Sequence, residues 1–217
     1  MYHLIDYDIL PYASRTGTKV NLNAMRSAGW RLLVTAGADL RTEGFEHYAL
    51  DNGAWGCYTR DERFNTRRFV AALKWAEKQE HKPDWIVAPD LVGCGLQSLH
   101  VSCLWLDVLP FYSNTVLIPA QDGMLPSDLS PLVGPKVGIF LGGTTDWKLK
   151  TGGVWGELAR ERDCWFHVGR VNSQRRLDLC RSWGAHSFDG SGASRYLKMF
   201  QRMQRGLVQG YLFNRGL

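Results

Sequence analysis

The segment FHVGRVNSQRRLDLCRSWGAHSFDGSGASR, residues 166–195, contains a strand, a helix, a second strand and a loop in succession. Residues 164–168 form a short apolar run that Gly169 ends, which predicts the first strand. Asn172 and Ser173 are residue types that cap the start of a helix. The helix itself is predicted by an apolar stripe at helical spacing and by a glycine where a left-handed C-terminal residue belongs: Leu177, Cys180, Trp183 and Gly184.

The second strand, residues 185–188, ends at Asp189. The residues around and after this carboxylate are small, namely Gly190, Ser191, Gly192 and Ser194. They predict open space beside the acid, which a purely structural strand end does not need. The alternative is that Asp189 caps a helix, and the Gly-Ser-Gly sequence that follows argues against this interpretation.

The same pattern recurs along the chain. Strands are predicted at residues 31–36, 47–50, 84–88, 115–119 and 137–141, and residues 2–9 are either a strand or an entry segment. Helices are predicted at residues 21–28, from residue 65 or 66 to before Pro83, at 96–109, in a short Pro-rich segment after residue 123, around 155–162 and at 195–207.

Strands that alternate with helices at such regular intervals favour a parallel sheet, and seven or eight such units favour a closed barrel. We therefore expect a single domain, residues 1–217, with the α/β architecture of a compact TIM-type (β/α)8 barrel. Polar residues or glycines stand at most of the strand ends: Asp51, Asp90, Gln121, Gly142, Gly143, Gly169, Arg170 and Asp189. Each alone is an ordinary loop residue. As a set on the face where barrel enzymes hold their chemistry, they predict an active site.

The formal net charge of +5 favours an acidic partner such as nucleic acid. Basic side chains cluster late in the chain: Arg170, Arg175, Arg176, Arg181, Arg195, Lys198, Arg202 and Arg205. For the helix arginines at 175, 176 and 181, a solvated face is an equal alternative. No apolar stretch approaches the roughly 18 residues of a membrane helix, and the N-terminus has acids where a signal peptide has basic residues. We expect a cytoplasmic protein with no membrane partner.

The five cysteines contain no C-x-x-C pair, so neither a disulfide framework nor a metal site is predicted. We expect them to be reduced and buried. No cofactor is expected.

Segments of the chain, in order and content, resemble the tRNA-guanine transglycosylase superfamily. The closer resemblance is to its shortened relatives, the deazapurine DNA modification transglycosylases of phages and bacteria. The resemblance extends from about residue 33 to residue 195. The matching segments are LDNGAW at 50–55, APD at 88–90, PAQDG at 119–123, FLGG at 140–143, HVGR at 167–170 and SFDGSGASR at 187–195.

This resemblance implies an exchange of guanine for a 7-deazaguanine base through a covalent aspartyl-glycosyl intermediate. It implies that Asp189 is the nucleophile and that Asp51 handles the proton, although a turn-forming Asp-Asn-Gly is a strong alternative for Asp51. The residues that contact the base are then Asp90, Gln121, Gly142 and Gly143.

Further contacts are expected from the positions of residues. Trp55 is expected to stack on the base, with barrel-mouth packing as the alternative. Barrels often bind phosphate after their last two strands. This position predicts contacts with the phosphate backbone of a nucleic acid from Gly169, Arg170, Ser191 and Arg195. His167 is predicted to be a packed strand histidine without a catalytic role.

The zinc-binding cysteine cluster of the tRNA enzymes is missing, and Thr144-Thr145 follow the glycine pair where those enzymes have a glutamate. The resemblance therefore favours DNA over tRNA, with a free 7-deazaguanine base as the second substrate. Homodimers are common in the family and remain open here. Three alternatives stay open: an N-glycosidase that releases a purine, a tRNA-guanine transglycosylase, and a non-catalytic barrel that binds modified bases or nucleic acid. The presence of both Asp51 and Asp189 argues against the last.

Overall fold

The computed structural model describes residues 7–15 and 18–214 of the chain. Within them, eight parallel strands form a closed barrel in chain order, and the last strand pairs with the first. The strands are β1 (Leu10–Ser14), β2 (Arg31–Thr35), β3 (Tyr48–Asp51), β4 (Ile86–Val87), β5 (Val116–Ala120), β6 (Val137–Leu141), β7 (Phe166–Val168) and β8 (Ser187–Gly190). The predicted TIM-type barrel is confirmed.

Helices cover the outside of the barrel and connect most of the strands, whereas β2 and β3 are joined without a helix. They are α1 (Lys19–Ser27), α2 (Ala54–Thr59), α3 (Thr66–Glu77), α4 (Gly95–Cys103), α5 (Pro126–Leu129), α6 (Thr145–Glu161), α7 (Gln174–Ser182), α8 (Ser191–Arg195) and α9 (Leu197–Asn214), with a 3-10 turn at Leu109–Phe111. Side-chain caps fix several helix starts. Asn65 accepts the Arg68 N–H and Ser173 accepts the Arg176 N–H, both at predicted caps.

The two faces of each strand pack against different layers. In β2, Leu32 and Val34 pack in the outer layer between strands and helices, whereas Leu33 faces the barrel interior. The interior is filled mainly by large side chains, so it is a packed core: Tyr12, Leu33, Ala49, Trp85, Val87 and Leu117, with Phe140 against them. Asp51 follows the interior residue Ala49 by two positions, so the same alternation turns its side chain inward.

The start of the barrel differs from the sequence prediction. Residues 2–6 lie outside the described residues, and residues 7–9 form no strand. The first strand is Leu10–Ser14, whose register is set by both neighbours: Tyr12 pairs with Arg31 and with Asp189. A five-residue strand that contains Pro11 carries little local signal, so its partners determine it.

Two helices have different lengths from those predicted. The helix predicted to reach residue 109 ends at Cys103, and Pro110 lies in the separate 3-10 turn. Helix α6 begins at Thr145, ten residues before the predicted start. Gly152 and Gly156 concealed it, because glycine lowers helix propensity. A Cβ at Gly156 would lie 1.9 Å from the Trp183 carbonyl oxygen, so the glycine is needed for close packing.

The segment after Asp189 is a short helix, α8, and the predicted open loop is wrong. The glycines of this segment lie close to neighbouring backbone and side-chain atoms. A Cβ at Gly190 would lie 2.1 Å from the carbonyl oxygen of Val171, and one at Gly192 would lie 2.3 Å from the sulfur of Met199. These glycines therefore allow the chain to pack closely. A second short helix, α2, begins at Ala54, within the loop expected at residues 51–56.

Two further features outside the barrel mouth are the exposure of the cysteines and the character of the helices. Cys57, Cys164 and Cys180 are buried, but Cys94 is exposed, contrary to the prediction. Among residues 7–15 and 18–214, none of the helices has the length and apolarity needed to cross a membrane.

Candidate active site

Asp189 lies at the C-terminal end of the barrel in β8 and is 8% exposed. Its Oδ1 atom lies 3.1 Å from His167 Nε2 and accepts the backbone N–H of Arg170 at 3.3 Å. Among the described residues, no donor makes a hydrogen bond to Oδ2. One carboxylate oxygen is therefore held by two donors, whereas the other accepts no hydrogen bond from the described residues.

His167 contacts Asp189 from the neighbouring strand, β7. It is fully buried in the barrel interior, stacked on Phe140 with ring centroids 4.9 Å apart and packed against Trp85 at 4.5 Å. This burial agrees with the prediction of a packed strand histidine. The contact with Asp189 was not predicted, since it depends on how β7 pairs with β8. Burial lowers the pKa of His167, and the Asp189 carboxylate partly opposes this shift.

Asp51 ends β3, and its side chain accepts the Gly53 N–H at 3.1 Å. The turn-forming interpretation of the Asp-Asn-Gly tripeptide is thus correct for the backbone. Gly53 adopts a φ of 80°, and a Cβ there would lie 2.4 Å from the Ala36 carbonyl oxygen. Only glycine fits this turn, and the turn fixes the direction of the Asp51 carboxylate.

The protonation of Asp51 depends on the other acids at the mouth. Burial raises the pKa of Asp51 to about 7, and the nearby charge of Asp189 adds to this effect, with a smaller contribution from Asp90. Hydrogen bonds from Gly53 and Thr35 oppose the shift without cancelling it. A carboxyl group with such a pKa can both give and take a proton near neutral pH.

Asp90 follows β4 and is 3% exposed. Its Oδ1 accepts the side-chain amide of Asn52 at 2.8 Å, and its Oδ2 accepts the side-chain amide of Gln121 at 2.5 Å. Burial raises the pKa of Asp90 to about 6, and these two amides partly oppose the rise. Asp90 and Gln121, predicted to read one base edge, are therefore brought together.

Asn52 is a second residue that the sequence prediction missed. Its amide nitrogen donates to Ala88 O at 2.6 Å as well as to Asp90, and its oxygen accepts the Ala54 N–H at 2.8 Å. The contacts with Ala88 and Ala54 hold the Asn52 amide in the position from which it donates to Asp90. The tripeptide signalled a turn, but nothing in it signalled a buried amide that reaches the next strand end.

The glycine pair has two different roles. The Gly142 N–H donates to Ala120 O at 3.0 Å and so extends the pairing of β5 with β6. This amide is not free to contact a base, contrary to the prediction. The Gly143 N–H donates to Gln121 Oε1 at 3.0 Å, and Gly143 has a φ of 63°. Gln121 is therefore held between Gly143 and Asp90 and points its amide in a fixed direction.

Arg170 and Trp55, assigned separately to phosphate and base, contact each other. The Arg170 guanidinium lies 3.9 Å from the centroid of the Trp55 ring, and it also donates to the Gly143 carbonyl. Arg170 has a φ of 61°, an uncommon backbone conformation for a residue with a side chain. The contact joins the loop after β7 to α2 and covers one face of the Trp55 ring.

The remaining predicted phosphate contacts are spread over the rim. Gly169 is buried, Ser191 is partly exposed and Arg195 is exposed. The ammonium of Lys148, a buried residue of α6 that was not predicted, donates to the Gly169 carbonyl. Burial, with a smaller contribution from the charge of Arg170, lowers the pKa of Lys148 to about 7. Gly169 thus serves as an anchor point for the backbone that carries Arg170.

Among the basic residues late in the chain, some stabilise the fold and others are exposed. Arg181 forms an ion pair with Asp8, with Nε and Oδ2 2.7 Å apart, and also donates to the Gly206 carbonyl. Arg181 therefore ties α7 to α9 and to the segment before β1. Arg175 is exposed and available to an acidic partner.

The three acids Asp51, Asp90 and Asp189 lie at one mouth, together with Gln121. The arrangement provides an oxygen nucleophile, a group that can exchange a proton, and a buried carboxylate–amide pair able to recognise a polar heterocycle edge. Within the described residues, no group of His, Cys, Asp or Glu side chains has the arrangement of a metal site. A scan against protein-family models and a search among curated proteins gave no match to this chain.

Proposed function

We propose that this protein is a transglycosylase that exchanges guanine for a 7-deazaguanine base in nucleic acid, with DNA as the preferred substrate. The observation that carries the proposal is that two acids with different properties lie at the same mouth. Asp189 has one carboxylate oxygen without a donor among the described residues, and the pKa of Asp51 is raised to about 7. The resemblance of the strand-end segments to deazapurine transglycosylases supplies the reaction class.

In the first half of the reaction, Asp189 Oδ2 attacks C1′ of the target nucleotide. The C1′–N9 bond breaks, its electron pair goes to the base, and Asp51 gives the leaving guanine a proton. The product is a glycosyl ester on Asp189, the device that retaining glycosidases use to protect the anomeric centre.

In the second half, Asp51 acts as a base. It takes the proton from N9 of the incoming 7-deazaguanine, N9 attacks C1′, and the ester bond to Asp189 breaks. Both carboxylates return to their starting state, so the exchange needs no oxidant, reductant or cofactor. A pKa of about 7 suits both steps, because an acid–base group works best near the operating pH.

Asp90 and Gln121 provide the selectivity for guanine-like bases. The Asp90 carboxylate accepts from N1–H and the 2-amino group, and the Gln121 amide donates to O6. Adenine has no donor at position 1 and no 2-amino group, so it adds no hydrogen bond to those that the buried Asp90 carboxylate, 3% exposed, already receives from Asn52 and Gln121. The target base must also leave any duplex, at a cost of a few kcal/mol.

The test is incorporation of radiolabelled guanine or 7-deazaguanine into duplex DNA, single-stranded DNA or tRNA. We expect label to enter DNA with the wild-type protein and not with Asp189→Asn. Asp107→Asn is the matched control, because Asp107 is exposed and lies outside the mouth. It should retain wild-type incorporation.

Other outcomes discriminate among the alternatives. Label in tRNA alone would identify a tRNA enzyme. Abasic sites without incorporation would identify an N-glycosidase. If neither label nor abasic sites form, while DNA is still retained in a binding assay, the exchange proposal is wrong for these substrates and a binding protein becomes the better account.

A further inference from the structure

A line of three hydrogen bonds runs from the wall of the barrel to Asp189. Trp165 Nε1 lies 2.9 Å from Ser187 Oγ, and Ser187 Oγ lies 2.8 Å from His167 Nδ1. His167 Nε2 completes the line at 3.1 Å from Asp189 Oδ1. Ser187 and His167 are fully buried, so water has no access to either.

The direction of these bonds is fixed from both ends. The Trp165 indole N–H can only donate, so Ser187 Oγ accepts from it. An ionised carboxylate can only accept, so the His167 nitrogen that faces Asp189 must carry a proton. Burial keeps the imidazole neutral by lowering the pKa of His167, which leaves Nδ1 without a proton. The Ser187 hydroxyl therefore donates to Nδ1.

We infer that His167 is a positioning residue for the nucleophile, held by Ser187 and Trp165 as the Nε2–H tautomer, so that Asp189 Oδ1 is fixed and Oδ2 is presented to the sugar. This role rests on the proposed function of Asp189. His167 does not touch the reacting atoms and transfers no proton.

The surroundings of His167 make this role specific. Phe140, Trp85 and Tyr12 surround the ring at centroid distances of 4.9, 4.5 and 5.8 Å, so it cannot turn without displacing the barrel interior. Oδ1 receives a second donor, the Arg170 N–H. Two donors on one oxygen and none from the described residues on the other give the carboxylate a single reactive oxygen.

The first experiment needs no substrate. Long-range 1H–15N correlation of the imidazole in the intact protein distinguishes the two neutral tautomers and the imidazolium. We expect the Nε2–H tautomer at pH 7, and we expect Ser187→Ala to increase the share of Nδ1–H. An Nδ1–H tautomer or an imidazolium in the wild-type protein overturns the inference.

The second experiment uses two variants of matched polarity. The side-chain nitrogen of His167→Gln is as many bonds from the backbone as Nε2 and preserves the donor to Asp189. That of His167→Asn corresponds to Nδ1 and removes it. We expect kcat for base incorporation to fall about 100-fold in His167→Asn and less than about tenfold in His167→Gln. The KM for the free base should be nearly unchanged in both, since other residues read the base.

Equal losses of kcat in the two folded variants, or a loss expressed in KM, would contradict the positioning role. If the wild-type protein incorporates no base into any nucleic acid, the proposed function fails. The tautomer measurement still decides the hydrogen-bond direction in that case, because it depends on the free protein alone.

Discussion

The two ends of the barrel place carboxylates in opposite surroundings. At the amino-terminal end, Asp84 is neutralised by Arg31, with Oδ2 3.1 Å from Nη1, and accepts the Tyr12 hydroxyl at 2.8 Å. At the mouth, the described residues offer Asp51, Asp90 and Asp189 no lysine or arginine ion pair. They are held by amides, backbone N–H groups and a neutral histidine.

The difference separates stability from chemistry. A carboxylate beside a cation is favourable in the folded state, whereas clustered carboxylates in a desolvated site repel one another and are destabilising. The three acids at the mouth therefore lower the stability of the fold. Clusters of this kind are typical of functional sites. The same isosteric change, aspartate to asparagine, can be made at both ends to test this contrast.

The largest expected difference is in activity. Asp51→Asn removes the proton-transfer group and should lower incorporation about 1,000-fold. Asp84→Asn should leave the activity of the folded protein within about twofold, because Asp84 lies at the far end of the barrel. Incorporation rates, normalised to the folded fraction by circular dichroism, measure both. A comparable loss in the two variants would remove the contrast.

The next effect is on stability at the amino-terminal end. Asp84→Asn leaves Arg31, whose side chain is 25% exposed, without its partner and should lower the free energy of unfolding by about 3 kcal/mol. Urea denaturation at pH 7 measures the change. Asp107→Asn, with an exposed carboxylate, should change stability by less than about 0.5 kcal/mol. An unchanged free energy of unfolding in Asp84→Asn would show that the ion pair does not contribute to stability.

The smallest effect has the opposite sign. The folded-state pKa of Asp51 is about 7, above the ordinary 3.8, so the folded protein binds more protons between these values. Its contribution to stability is therefore present at low pH and falls as the pH rises through 7. Asp51→Asn should therefore gain about 2 kcal/mol more at pH 8 than at pH 5. Urea denaturation at both pH values checks it, and a pH-independent gain would contradict the shifted pKa.

Local sequence patterns carried much of the fold. The strands at 31–35 and 137–141 and the caps at Asn65 and Ser173 are encoded by neighbouring residues, and they were predicted closely. The start of α6 was missed because its glycines are explained only by the approach of Trp183. Helix propensity is an average over many structural contexts. It therefore fails to predict a helix whose glycines are required by contact with a side chain distant in sequence.

The site followed the same division. Asp51 and Asp189 could be found because inward-facing acids at strand ends are visible in the sequence. Asn52 and His167 could not, because their contacts depend on pairing between strands: His167 lies opposite Ser187 in the β7–β8 register. The contact of Arg170 with Trp55 likewise joins segments far apart in the chain.

The aromatic filling of the barrel has a consequence for the order of events. Tyr12, Trp85 and Phe140 close the space beneath Asp189, so the described part of the chain gives the pocket no rear exit. In the proposed exchange, a departing guanine would leave by the opening through which its replacement arrives. We therefore expect the proposed exchange to show ping-pong kinetics, with free guanine as a competitive inhibitor of 7-deazaguanine. Excess replacement base should also slow its own incorporation by occupying the pocket before the nucleotide enters.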